Sequence, residues 1–247
     1  MPLLEARRRS RCKHRERRPL RLETWLPIYD RVCEDFQFDK EHDLRSARLL
    51  LSMIGDKGKK GLAAVRRDFP RTVLVCGGGP NLADEISSLA IEWPVVAADG
   101  ATTVLLEADI ALHMIVTDLD GVVEDQIEAN ERGATTFVHA HSDNETVVRR
   151  YVGKFQGVVV GTCQCVPPPG LLNFGGFTDG DRAACICSEL GARTIRLAGF
   201  DFENPTEKTG KSKETKKRKL KWAKVILREL ASEGVTLLNA NGENIKL

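Results

Sequence analysis

Between Val95 and Gly121 the sequence reads VVAADGATTVLLEADIALHMIVTDLDG, and this stretch constrains the fold more than any other. Two short apolar runs, Val95–Ala98 and Met114–Val116, each end in an acidic turn. The first turn is Asp99-Gly100-Ala101; the second is Thr117-Asp118-Leu119-Asp120-Gly121. Runs this short and apolar read as strands buried on both faces, as in a parallel sheet, with Thr102–Glu107 as the crossover helix between them. Open α/β sheets bind ligands at the carboxyl ends of their strands, where an unliganded carboxylate would be costly. Asp99, Asp118 and Asp120 therefore point to a divalent-cation site. In an extended turn residues i and i+2 point the same way, so Asp118 and Asp120 are expected to share one cation, with Asp99 as a further ligand. Mg²⁺ sites commonly combine one or two carboxylates with substrate phosphates and water. The plainer alternative is a pair of Asx turns that satisfy only the backbone.

The same alternation continues along the chain. Strands are expected at Thr72–Cys76, Thr135–His139, Val158–Gly161, Thr194–Ala198 and Thr236–Leu238 as well. Helices are expected near Asn81–Glu92, Val122–Arg132, Asn144–Phe155, Asp179–Leu190 and Lys216–Ser232. Repeated βα units predict a Rossmann-like, three-layer α/β fold with a mostly parallel sheet, and right-handed crossovers put the strand-to-helix loops on one edge. This α/β domain spans residues 71–247. Residues 22–70 read as a helical appendage, with Asp39 capping a helix that runs to Ile54 and a second short helix at Leu62–Phe69. Residues 1–21 form a basic head with nine Lys/Arg and two Glu.

A second basic segment, residues 207–224, also holds nine Lys/Arg and two Glu, leaving 19 basic and 31 acidic residues for the rest of the chain. An acidic body with basic segments suits a metal-phosphate site that recruits positive charge from a loop. The head has no interleaved aromatics to stack bases, so nucleic acid is not the expected partner. No apolar run approaches the about 20 residues of a membrane span, and the Arg-rich start has no apolar secretory core. The seven cysteines, an odd number, are expected as reduced thiols in a cytoplasmic protein.

Three further constellations carry chemistry. Cys76-Gly77-Gly78-Gly79-Pro80-Asn81 follows the first strand; its glycines allow close backbone approach, and its N–H groups can receive an anion. A dinucleotide fingerprint fails here because Leu82 stands at the third glycine position, and no Gly-Lys-Ser/Thr completes a Walker loop. Phe174-Gly175-Gly176-Phe177-Thr178-Asp179-Gly180-Asp181-Arg182 can wrap a flat polar ligand, with Thr178 or Asp179 as helix cap. Gly199-Phe200-Asp201-Phe202 precedes the lysine run, whose first half reads as a loop able to close on a polyphosphate. His139-Ala140-His141 and the pairs Cys163/Cys165 and Cys185/Cys187 do not complete a zinc set at these spacings. Asp143-Asn144 falls on the same edge and either joins the polar site or caps the next helix.

With these motifs in view, the chain resembles the archaeal 6-hydroxymethyl-7,8-dihydropterin pyrophosphokinase family, itself related to thiamine pyrophosphokinases. The resemblance runs from about Leu62 to Leu247 and rests on VCGGGPNL, AADGATTVLL, IVTDLDG, NFGGFTDGDRA, LAGFDFEN and the lysine segment ending KRKLKWA. It implies Mg²⁺-dependent transfer of diphosphate from ATP to a pterin hydroxymethyl group, with release of AMP, in tetrahydromethanopterin or folate-type pterin synthesis. On that footing Asp99, Asp118 and Asp120 hold the metal. Gly77, Gly78, Gly79, Asn81, Lys211 and Arg182 bind nucleotide or phosphate. Gly176, Thr178, Asp179, Asp181 and Asp201 bind the pterin, and Lys211, Lys216 and Lys219 stabilise charge. A thiamine substrate, a nucleotide-sugar glycosyltransferase and a nucleotide- or RNA-binding module are the alternatives, and a homo-oligomer stays open.

Overall fold

A computed structural model describes residues 21–55, 57–203 and 212–247, without the side chains of residues 57, 59 and 60. Residues 1–20 of the basic head and Lys211 lie outside the described residues. Three helices come first, α1 (Leu22–Phe36), α2 (Lys40–Ile54) and α3 (Lys57–Arg66). Strands and helices then alternate: β1 (Thr72–Cys76), α4 (Leu82–Ser88), β2 (Val95–Ala98), α5 (Ala101–Glu107), β3 (Leu112–Thr117) and α6 (Val123–Glu131). There follow β4 (Thr135–Ala140), α7 (Glu145–Tyr151), β5 (Val159–Cys163), α8 (Asp179–Leu190), β6 (Thr194–Ala198), α9 (Lys213–Ser232) and β7 (Thr236–Asn239).

The strands form one sheet in the order β5-β4-β3-β2-β1-β6-β7, and every neighbouring pair is parallel. The expected mostly parallel sheet is thus parallel throughout the described residues. Alternate side chains divide between two layers, as the two-residue period of a strand requires. Val73, Val75, Val96, Met114 and Val116 share a core with α1, α2, α8 and α9. Leu74, Cys76, Val95 and Ala97 pack with α4 and α5 on the other face, and Ile115 packs with Ala129 and Ala134 of and beside α6. These layers make a Rossmann-like three-layer fold.

The N-terminal helices belong to the same core. Trp25 is fully buried and donates its indole N–H to the Gln164 carbonyl at 2.8 Å. Asp39 caps α2 as expected, accepting the Glu41 N–H at 2.9 Å. The next helix starts at Lys57 and ends at Arg66, earlier than the expected Leu62–Phe69. Its glycines explain the shift: a Cβ at Gly61 would stand 2.6 Å from Val158, so the glycine-bearing half lies against β5. α4 stops at Ser88, short of Glu92, because Leu89 turns extended ahead of Pro94.

β1 has β2 on one side and β6 on the other, which makes the β1/β6 boundary the switch point where open sheets leave a crevice. Here two glycine loops meet across it. Gly77 N–H donates to the Ala198 carbonyl and Gly79 N–H to the Gly199 carbonyl, both at 2.8 Å. Gly199 adopts φ +69°, and a Cβ there would lie 2.2 Å from the Gly77 carbonyl oxygen. Among the described residues six cysteines are free and buried, and no helix is long and apolar enough to cross a membrane. Gly199→Ala is expected to destabilise the protein by on the order of 1–3 kcal/mol from backbone strain, with the clash added; urea denaturation would show it as a lower midpoint at unchanged slope.

Candidate active site

Four loops converge at the carboxyl edge of the sheet. They follow β2 (Asp99), β3 (Asp118 to Gly121) and β4 (His141 to Asn144), and the fourth is the first turn of α8 (Thr178 to Arg182). α8 connects β5 at one side of the sheet to β6 beyond β1, and so carries Asp179 across to β2 and β3.

Asp99 is 4% exposed and sits at φ +45°, a left-handed conformation uncommon outside glycine. Its Oδ1 accepts from the Thr117 hydroxyl at 2.9 Å, the Gln126 amide at 3.0 Å and the Gly121 N–H at 3.1 Å. Gly121 permits this close approach, because a Cβ would lie 3.0 Å from both Asp99 oxygens. Thr117 in turn accepts the Leu119 N–H at 2.8 Å, and Leu119 is itself held at φ +67°.

Asp118 is fixed at both carboxylate oxygens. Oδ1 accepts the Asp120 N–H at 3.2 Å and Oδ2 lies 3.2 Å from His141 Nε2, while Asn144 donates to the Asp118 carbonyl at 2.9 Å. Asp179 accepts from Arg182 Nη1 at 2.7 Å, and Arg182 Nη2 donates to the Phe177 carbonyl at 3.0 Å. Asp99, Asp118 and Asp179 each offer an oxygen within 4.8 Å of the other two.

This trio differs from the expected set of Asp99, Asp118 and Asp120. The left-handed Leu119 breaks the extended geometry that would align Asp118 with Asp120, so Asp120 is exposed beside the trio while Asp179 completes it. Hard oxygen donors in this number suit Mg²⁺ or Mn²⁺. The electrostatics agree. Burial and then the Asp120 charge raise the Asp118 carboxyl, but the His141 hydrogen bond and the Arg182 charge outweigh them and leave it below its ordinary value. Asp179 is driven well above the carboxylate range by burial and then by the Asp118 charge, with Arg182 opposing.

The remaining expected residues divide between structural and surface places. Asp181, fully buried, accepts from the Phe177 N–H at 2.6 Å, the Thr178 N–H at 2.9 Å and the Thr178 hydroxyl, so it clamps the loop as the capping box of α8. Gly176, at φ +94°, lets that loop press on α8, where a Cβ would meet Arg182 Cα at 2.3 Å. Arg182 is 4% exposed, and the guanidinium expected to meet phosphate donates to Asp179 beside the trio. In the glycine loop the Gly77 and Gly79 N–H groups are engaged by carbonyls, a correction to their expected donation to phosphate; Gly78 is exposed at the tip. Asn81 donates to Glu85 at 2.7 Å. Asp201 accepts the Glu203 N–H at 2.9 Å and lines a cavity of about 260 Å³ with Asn81, Glu85, Phe200, Phe202 and Lys224. The Phe200 ring fills the space between Gly77 and Gly180, where Cβ atoms would meet it at 3.1 and 2.9 Å, so the cavity lies one ring away from the first turn of α8. Lys216 and Lys219 are half-buried near the start of α9, with the Lys219 ammonium 5.6 Å from the Phe177 ring centre.

Thr117, Gln126, His141 and Asn144 were not singled out as site residues by the motifs. The signal for the last two was the placement of Asp143-Asn144 on the same edge. His139 faces Thr162 at 3.0 Å inside the sheet, with its ring centre 6.1 Å from that of His141.

The raised Asp179 carboxyl has a consequence for stability without divalent cations. Between the ordinary carboxylate range and Asp179's raised value, the folded chain holds a proton that the unfolded chain has released, so stability falls as pH rises through that window. Melting temperatures in EDTA are expected to decline there, and Asp179→Asn is expected to flatten the decline.

Residues 55–207 match the family described as 6-hydroxymethylpterin diphosphokinase MptE-like. A protein of Methanothermobacter thermautotrophicus named 6-hydroxymethyl-7,8-dihydropterin pyrophosphokinase is 44% identical over 187 residues, covering 74% of this chain and 79% of that protein. Proteins of the same name from Pyrococcus furiosus and Methanocaldococcus jannaschii are 38% and 33% identical, covering 87% and 85% of this chain and 96% and 95% of their own lengths. The chain belongs to the 6-hydroxymethylpterin diphosphokinase MptE-like family.

Proposed function

We propose that this protein transfers diphosphate from ATP to the hydroxymethyl group of 6-hydroxymethyl-7,8-dihydropterin, releasing AMP, with Mg²⁺ as the metal. The product would enter tetrahydromethanopterin or folate-type pterin synthesis. The observation that carries this reading is the convergence of Asp99, Asp118 and Asp179 within 4.8 Å at the sheet's ligand-binding edge. The name shared by relatives at 33–44% identity supports the substrate.

Asp99, Asp118 and Asp179 would hold the cation, with Asp120 adding negative charge at the mouth. Mg²⁺ bound there would screen the carboxylates from the triphosphate and neutralise charge on its oxygens. The protein's own part is positioning. Thr117, Gln126 and Gly121 fix Asp99, and Asp181 and Gly176 fix the loop that presents Asp179. Phe200, Asp201 and Asn81 line the cavity that would take a flat heterocycle. Lys216 and Lys219 would stabilise charge on the phosphates, joined by Lys211 and Arg182. Gly78 and the adjoining backbone would let the nucleotide approach closely. The substrate alcohol attacks the β-phosphorus in line, its proton leaves to solvent or phosphate, and AMP departs.

Incubation with ATP, Mg²⁺ and either hydroxymethyl-dihydropterin or thiamine tests the assignment. AMP and a pterin diphosphate are expected in the first case alone; AMP with thiamine only would overturn the substrate, and AMP with neither would overturn the activity. Lys216→Ala and Lys219→Ala are expected to lower kcat, by up to about 10²–10³ for a donor that meets developing charge. Unchanged steady-state kinetics would remove both lysines from the mechanism.

A further inference from the structure

The turn after β4 forms a closed hydrogen-bond circuit that ends on Asp118. Asn144 Oδ1 accepts the His141 N–H at 3.0 Å, and Asn144 Nδ2 donates to the His139 carbonyl at 2.7 Å and the Asp118 carbonyl at 2.9 Å. Within the turn the Asp143 N–H donates to His141 Nδ1 at 3.3 Å. A ring nitrogen that accepts carries no proton, so in neutral imidazole the proton is on Nε2. That nitrogen faces Asp118 Oδ2 at 3.2 Å, and a carboxylate oxygen can only accept. The backbone of the turn thus selects the one tautomer that can donate to Asp118.

The turn is braced from behind. Asp43 of α2 is fully buried, and its Oδ1 accepts the Ser142 N–H at 2.9 Å. Its Oδ2 accepts the Tyr29 hydroxyl at 2.6 Å and the Gln164 amide at 2.7 Å. All three donors are neutral, and a carboxylate buried among neutral donors is a costly way to fill core space that an apolar side chain could fill. α2 also reaches the far end of the turn, where Ser46 donates to Glu145 at 3.1 Å.

We propose that His141 is a positioning residue, held as its Nε2–H tautomer to orient the Asp118 carboxylate, and that Asp43 fixes the turn that presents it. The N-terminal helical segment thereby acts on the active site. With Asp120 N–H on one oxygen and His141 on the other, Asp118 keeps a single orientation towards Asp99 and Asp179. Partners that orient a ligating carboxylate typically change metal affinity or activity by about 10–100-fold when removed. This inference rests on Asp118 being a cation ligand.

The test is Mn²⁺ affinity of the full-length protein without nucleotide, measured by electron paramagnetic resonance, with circular dichroism confirming the fold. His141→Ala is expected to weaken Mn²⁺ binding by about 10–100-fold. His141→Gln, whose amide nitrogen can stand near the Nε2 position, is expected to recover most of the loss; His141→Asn, whose amide stands near Nδ1, is not. Asp43→Asn sets an amide N–H₂ against one of three donors and is expected to weaken binding several-fold. Equal affinities for wild type and His141→Ala, alongside lost binding in Asp118→Asn, would overturn the role of His141 and leave the cation site standing. Equal affinities for the Gln and Asn variants would overturn the tautomer argument. Unchanged binding in Asp118→Asn would overturn the cation assignment and this inference with it.

Discussion

Three carboxylates that approach within 4.8 Å at a buried edge repel one another, and the local structure is arranged around that repulsion. Arg182 is a buried cation beside the trio and donates to Asp179. Asp99 is satisfied by neutral donors from a threonine, a glutamine and a backbone amide. Left-handed backbone at Asp99 and Leu119 adds strain on the order of 1–3 kcal/mol each. The sheet supports such an arrangement because its strands are buried on both faces and leave little freedom to relax. A divalent cation bound there would convert the repulsion into binding, which is how a phosphate-handling site can be acidic.

The helices outside the βα repeat stabilise parts of the candidate site. Asp35 of α1 accepts from Arg218 at 2.8 Å and from the Trp222 indole at 2.9 Å, tying α1 to α9. Phe36 packs on Phe177 with ring centres 5.2 Å apart, and Lys219 approaches the same ring. The loop from Asn173 to Thr178 is therefore held between α1, α9 and the capping carboxylate of Asp181. Asp43 performs a related service for the turn after β4. The N-terminal segment, an appendage by its sequence pattern, is part of the wall of the site.

What could be read from sequence follows from which interactions are local. The strands were legible because a parallel strand buried on both faces needs an unbroken apolar run, and β1, β2 and β6 lie where those runs predict. Asp99 and Asp118 were legible because an acid directly after such a run has few structural uses. Asp179 was seen as a polar residue of a ligand-wrapping loop; its meeting with Asp99, eighty residues earlier, depends on the path of α8 across the sheet. Asp120 turned on one dihedral, the left-handed Leu119, which a leucine does not announce. The phosphate role expected of Gly77 and Gly79 overlooked Gly199, whose loop takes their N–H groups across the switch point. Gln126 meets Asp99 across 27 residues, so no spacing could mark it; His141 shares a turn with Asp143-Asn144, but its partner Asp118 lies 23 residues earlier.

The central claim is that Asp99, Asp118 and Asp179 together bind the cation that brings the triphosphate to the sheet edge. Anomalous diffraction from crystals grown with Mn²⁺ and a non-hydrolysable ATP analogue addresses it directly. The expected result is a manganese peak at direct-coordination distance from carboxylate oxygens of Asp118 and Asp179, with Asp99 as ligand or bonded to a coordinated water. A peak held by Asp120 without Asp179, or one remote from all three aspartates, would contradict it.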